Sequence, residues 1–203
     1  LDEVIDGGLD VADFLFDCSA SEALEILGDE TGGSFVQVDT VDDLVSTLVS
    51  VTEQQNEEVQ DIAFLVDATG SMSNDIDGVR DRLDDILKSL DDDEDRVTIA
   101  WFRDKHVDSP WYRRNSRGLM APDSKQLGNF LEGIDASGGG DLPESLYDGA
   151  YKTLDEVEWG GTRRVLVIIT DAGPTDRDTH DASDVVRKAE ESEVEIVPIL
   201  VGL

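Results

Sequence analysis

Asp67, Thr69 and Ser71 stand on alternate residues around Gly70 in the stretch DIAFLVDATGSM, Asp61 to Met72, and offer one carboxylate and two hydroxyls. Alternate residues of a tight loop can point at one centre, and a donor set made only of oxygen suits a hard cation such as Mg²⁺. The same residue types also make an ordinary turn that caps the next helix, since Asp, Ser and Gly favour turns and N-caps. On this segment alone both readings stand. A second carboxylate of the same kind, Asp171, follows the apolar run RVLVIIT. Between the two lies Ser137-Gly-Gly-Gly-Asp141, where three consecutive glycines permit close backbone approach and unusual φ angles.

The elements that must position these residues read as alternating strands and helices. Ile62 to Val66 is a continuous apolar run of the kind expected for a central parallel strand covered on both faces, and Arg164 to Thr170 is another. Ile76, Val79, Leu83, Ile86, Leu87 and Leu90 fall at helical spacing, and the acidic run Asp91 to Asp95 ends that helix in a solvated loop. RVTIAWFR, Arg96 to Arg103, reads as a strand, and the His106 to Arg113 region as a short edge strand. Further helices follow through Leu127 to Ile134, Leu146 to Val157 and Asp181 to Glu191, with a last strand over Val194 to Val201. This βαβ alternation predicts an α/β fold, a doubly wound and mostly parallel six-stranded sheet with helices on both faces. Ligands of such sheets bind at the carboxyl ends of the strands, where Asp67 and Asp171 both fall.

Composition narrows the partners. The 203 residues suffice for one sizeable domain and a short extension. A formal net charge of −32, with 48 acidic residues against 16 basic ones, excludes a nucleic-acid partner, because phosphate neutralisation needs a basic face. The Asp-rich, Lys-poor surface points to a salt-adapted archaeal source, in which salt screens self-repulsion. Arg113, Arg114 and Arg117 beside Trp111 and Tyr112 form a basic cluster, best read as pairing with nearby surface carboxylates. Cys18, the single cysteine, excludes an intrachain disulfide. No apolar run reaches transmembrane length, and the start carries no signal-peptide pattern.

Catalysis is not the expectation. A haloacid-dehalogenase-type phosphatase needs a second Asp two residues after the first, where Thr69 stands, and a response regulator needs an acidic pair and a later lysine. His106 and His180 fall in no catalytic spacing and read as solvent or cap residues. A Mg-dependent hydrolase remains the enzyme alternative.

DATGS, GGGD and TDAG, in this order and spacing, resemble the von Willebrand factor A domain, whose three loops form a metal-ion-dependent adhesion site. The resemblance implies that Thr69 and Ser71 bind a divalent cation, Mg²⁺ or else Ca²⁺ or Mn²⁺, directly. Asp67 and Asp171 would then act through hydroxyl-bound or water-bridged contacts. Asp141 stands where many members have threonine and is the implied substitute ligand. DATGSM, WFRD (Trp101 to Asp104), GGGDLPE and TRR-VLVIITDA are most similar to the hemicentin and alpha-kinase-associated A domains. The third loop, Ala172-Gly173-Pro174-Thr175, departs from the Pro and His usual there, which removes the family's warrant for a role of His180. The function implied is a protein-binding module for adhesion or assembly, whose cation captures an Asp or Glu carboxylate of a protein partner. A regulatory or assembly subunit beside an ATPase is the alternative. A surface location is preferred over a cytoplasmic one.

The order of elements departs from the family. Residues 19–56, a helix, strand and helix containing GDETGGSFVQVDTVDDL, resemble the family's C-terminal end, yet they precede the core at 61–203. Circular permutation, the tail of a preceding A domain in a tandem array, and swapping into a neighbouring subunit each account for this. Completion within the chain is favoured, because an uncovered EIVPILV edge would self-associate. Residues 1–18 read as a linker or docking segment.

Overall fold

In the computed structural model the described residues are 20–52, 59–91, 93–116, 118–140 and 144–202, without the side chains of residues 41 and 42. The order is α1 (Ala20–Glu30), β1 (Val36–Val38), α2 (Val41–Thr52), β2 (Gln60–Asp67), α3 (Ile76–Ser89), β3 (Asp95–Phe102) and β4 (Tyr112–Arg114). It continues with α4 (Lys125–Glu132), α5 (Leu146–Glu156), β5 (Arg163–Thr170), α6 (Ala182–Ser192) and β6 (Glu195–Val201). The six strands form one sheet in the order β1-β6-β5-β2-β3-β4, parallel throughout except for β4, which runs antiparallel to β3. This is the doubly wound α/β sheet that the apolar runs predict. The edge strand near Trp111 is shorter and later than its sequence suggests, beginning only at Tyr112.

β2 sits centrally between β5 and β3 and is buried at every position. Its side chains alternate between layers, as the pleat requires. Ile62, Phe64 and Val66 pack with α2, α3 and α4, whereas Ala63 and Leu65 pack with α1, α5 and α6. The strand therefore ends in a fixed place, with Asp67 at the carboxyl edge.

The N-terminal module joins this sheet. Val36, Gln37 and Val38 pair in parallel with Ile199, Leu200 and Val201. Three residues of ladder, at about 1 kcal/mol per hydrogen bond, hold little. Leu24, Leu27, Leu44 and Leu48 are fully buried against the core, at roughly 1.5–3 kcal/mol each, so apolar packing dominates the docking. The Thr31 hydroxyl accepts the Ile196 amide at 3.0 Å, while a Cβ on Gly33 would lie 1.9 Å from the Ile196 carbonyl, so only glycine fits that crossing.

Candidate functional site

The loop after β2 is organised by Asp67, a buried carboxylate held by neutral donors alone among its hydrogen-bond partners. Its Oδ1 accepts from the Thr69 amide at 2.9 Å and the Thr69 hydroxyl at 2.7 Å, and Oδ2 accepts from the Thr170 hydroxyl on β5 at 2.7 Å. Thr69 Oγ1 lies 3.0 Å from Ser71 Oγ, and the Ser71 hydroxyl donates to Asp171 Oδ1 at 2.9 Å. Five residues at the ends of adjacent strands, Asp67, Thr69, Ser71, Thr170 and Asp171, thus form one continuous polar chain, from buried Asp67 and Thr69 to exposed Ser71. Burial pushes the Asp67 carboxyl up to about 6 despite the hydrogen bonds from Thr69 and Thr170, with the Asp171 charge adding to the rise. Burial likewise raises Asp171, opposed by the Ser71 hydroxyl.

The glycine-rich loop closes over this chain. Ser137 N donates to the Ala68 carbonyl at 3.0 Å, and Gly70 N to the Gly138 carbonyl at 3.1 Å. Gly138 and Gly139 have φ of 75° and 70°, the left-handed region that a side chain rarely adopts. A Cβ on Gly139 would sit 3.2 Å from Thr69 Cβ and 3.0 Å from Glu144 Oε1, so a side chain there would crowd both residues. Arg103 fixes the loop bases, donating to the Ala68 and Asp135 carbonyls while its guanidinium covers Trp101 at 4.6 Å.

Asp67, Thr69, Ser71 and Asp171 are therefore brought together, while Asp141 lies outside the described residues. Sequence reasoning missed two neighbours, Glu144 and Asp104. Glu144 is clamped by its backbone, its amide donating to the Gly173 carbonyl at 3.1 Å and its carbonyl accepting from Thr175 N at 2.8 Å. Its side chain is only 3% exposed and Oε2 has no hydrogen-bond partner. Burial first, then the charges of Asp67, Asp104, Asp171 and Asp108, push this carboxyl up to about 8. Asp104 is fully buried; Oδ1 accepts the His106 amide at 2.7 Å, and Oδ2 lacks a hydrogen bond, 3.6 Å from the Arg177 guanidinium. The available signals were GGGDLPE and WFRD, which contain both residues, but neither motif says which carboxylates meet.

The arrangement is an oxygen-donor site with a surplus of negative charge. Among the described residues no group of three or more His, Cys, Asp or Glu side chains has the spacing of a metal cage. Among the described residues no helix is long and apolar enough to cross a membrane. His180 is neither a cap nor a solvated residue: its Nδ1 lies 2.6 Å from Asp148 Oδ1 and its ring stacks on Tyr151. Arg114 pairs with Glu156 at 3.7 Å, and Arg117 lies outside the described residues.

A doubly wound parallel sheet with its polar chain at the carboxyl edge defines a Rossmann-like α/β module. Residues 61–203 match the von Willebrand factor A domain, and the chain belongs to that family of protein-interaction modules. An ariadne-like RING finger protein of Acanthamoeba polyphaga mimivirus is 32% identical over 121 residues, covering 59% of this chain and 12% of that protein. The pilus adhesin SpaC from Lactobacillus rhamnosus GG has a similar fold: one crystal structure gives a TM-score of 0.54 at 16% identity, covering 73% of this chain and 25% of the adhesin. Its open conformation gives 0.49 at 20% identity, covering 61% and 16%. The chain spans well under a third of each of these proteins.

Proposed function

We propose that this chain is a metal-dependent protein-binding module of the adhesion or assembly type, in which a divalent cation completes the site and takes an acidic side chain of a partner. The observation that carries the reading is the pair of adjacent hydroxyls, Thr69 and Ser71, each donating to a carboxylate, Asp67 and Asp171. With those hydrogens given away, their lone pairs are left to face a common centre. Their oxygens lie 3.0 Å apart. Adjacent ligands of an octahedral ion at 2.0–2.1 Å stand about 2.9 Å apart, so this spacing accommodates Mg²⁺. Thr69, Ser71 and Glu144 would hold the ion, with Asp67 and Asp171 orienting the hydroxyls. Asp141 is retained as a further candidate ligand from the family resemblance. The cation supplies positive charge and an open coordination position for a carboxylate.

Binding is favoured over catalysis by the state of Asp67. The strand-end carboxylate that a phosphatase would use as its nucleophile is fully buried, and both its oxygens accept hydrogen bonds. A hexaglutamate peptide on a sensor surface should retain the chain in Mg²⁺ and high KCl and release it in EDTA. Retention unchanged by EDTA would sink the proposal.

We also infer a salt-adapted source of the hemicentin-like subtype from the charge of −32 and the GGGDLPE and WFRD motifs. Screening that self-repulsion in molar KCl should raise the melting temperature by roughly 5–10 °C, as a gain of a few kcal/mol would. A melting temperature that is flat or falling from low to molar KCl contradicts it.

A further inference from the structure

A second feature lies outside the polar chain, on the outer side of α5. A pocket of about 260 Å³ is lined by Lys105, Trp111, Asp148, Tyr151, Lys152 and His180, with Asp155 and Glu156 also on its wall. Its composition is unlike the rest of the chain. Of the five lysines in the sequence, two line it and a third, Lys188, holds its Nζ 5.9 Å from the Tyr151 ring. The ring of His180 is stacked face to face on Tyr151, with centroids 3.7 Å apart and planes at 9°, so the pair presents only its outer faces. Asp148, 2% exposed, fixes that stack by holding His180 Nδ1 at 2.6 Å and Lys105 Nζ at 2.6 Å, which leaves Nε2 as the imidazole nitrogen for a ligand. Lys105 Nζ also donates to the Thr179 hydroxyl at 2.8 Å and lies 5.7 Å from the Trp111 ring.

The pocket shares its loops with the polar chain. Lys105 follows Asp104, Asp148 lies one helical turn beyond Glu144, and His180 closes the loop that begins at Asp171. Lys105 N donates to Ser145 Oγ at 3.0 Å, which stitches two of these loops together. Lys105, Lys152 and Lys188 pair with Asp148, Glu156 and Asp155, so the pocket is close to neutral in a chain of net charge −32, and its aromatic faces can take a ring-bearing acidic segment with less repulsion than the carboxylate-rich surface around it. Lys152 is the lysine best able to turn to such a ligand. Its pair with Glu156, at 2.6 Å, is an exposed contact between residues four apart, worth at most about 0.5 kcal/mol.

Resting on the proposed function, we infer that this pocket is a second subsite for the same partner, taking an aromatic side chain that neighbours an acidic one, while another carboxylate of the segment goes to the cation. The aromatic ring packs on an outer face of the Tyr151–His180 stack and against Trp111, and Lys152 meets the neighbouring acid. Calorimetric titration of the full chain in Mg²⁺ with two peptides tests it, one of glutamate alone and one of alternating glutamate and tyrosine. The alternating peptide should bind about tenfold tighter, a contribution expected of one good aromatic contact. Trp111→Ala and Lys152→Glu should each remove that preference and leave the Mg²⁺ affinity unchanged, which also certifies their folding. Equal affinity for the two peptides, or a preference that survives both substitutions, overturns the subsite. Mg²⁺ binding with no uptake of either peptide overturns it as well. Failure of the wild type to bind Mg²⁺ at all would instead strike the proposed cation site, a separate result.

Discussion

Asp171→Ala is expected to weaken Mg²⁺ binding by about 10–100-fold, the usual cost of losing a group that orients a metal ligand. The residue need not touch the ion for this. Asp171 accepts the Ser71 hydrogen at 2.9 Å, and without it that hydroxyl is free to rotate and present its hydrogen to the site. Glu144→Gln should also weaken binding, but with the opposite effect on the metal-free fold. The Glu144 carboxyl is raised from 4.5 to about 8, so it favours the folded state while protonated. Its contribution is fully present below pH 4.5 and is lost as pH rises through about 8. The glutamine is neutral throughout and keeps that contribution, so in EDTA at pH 8.5 it should melt higher than wild type, whereas at pH 4.5 the two should coincide. Calorimetry with Mg²⁺, Mn²⁺ and Ca²⁺ and thermal melts in chelator read both effects. Identical titration curves for wild type and Asp171→Ala would remove Asp171 from the site.

Arg96→Met should lower stability by about 3 kcal/mol, with little effect on the cation affinity. At the opposite end of β2, fully buried Asp61 accepts from Gly160 N and Gly161 N at 2.7 Å and from Arg96 Nε at 2.8 Å. Removing the guanidinium strands a buried carboxylate, which costs about 3–5 kcal/mol in comparable pairs; Arg96 is 40% exposed, so the lower end applies. Replacing both partners with Asp61→Asn and Arg96→Met should recover much of the loss, since the uncompensated charge is then gone. Urea unfolding checks this at pH 7. A loss under 1 kcal/mol for the single variant would mean that the two glycine amides suffice.

Much of this architecture is legible in the residues. Ile62 to Val66 and Val165 to Ile169 are apolar at every position, and a strand of that kind has only one stable place, covered on both sides in the middle of a parallel sheet. Asp67, Thr69 and Ser71 were equally legible, because a loop of five residues brings them together whatever the rest of the chain does. Glu144 and Asp104 were not. They approach Asp67 through a glycine loop and a neighbouring strand, and no local pattern encodes which strand end lies beside which. The same holds for His180 and Asp148, 32 residues apart and 2.6 Å in contact. β1 is an equally plain case: SFVQVD predicts a short strand, but its partner β6 lies more than 150 residues away, and three-residue strands carry no register of their own.

The two aspartates at the ends of β2 show the division most clearly. By itself the sequence determined that Asp61 and Asp67 flank a buried strand, and so that both carboxylates must be compensated. Only the tertiary structure decided how. Asp61 meets the guanidinium of Arg96 on β3 and two amides, and its charge is settled within the chain. Asp67 accepts hydroxyls from Thr69 and Thr170 and an amide, and faces Asp171 and Glu144, so its end of the strand keeps an excess of negative charge. The physical reason is that desolvation is fixed locally by burial, whereas the neutralising partner comes from whichever strands the fold places alongside.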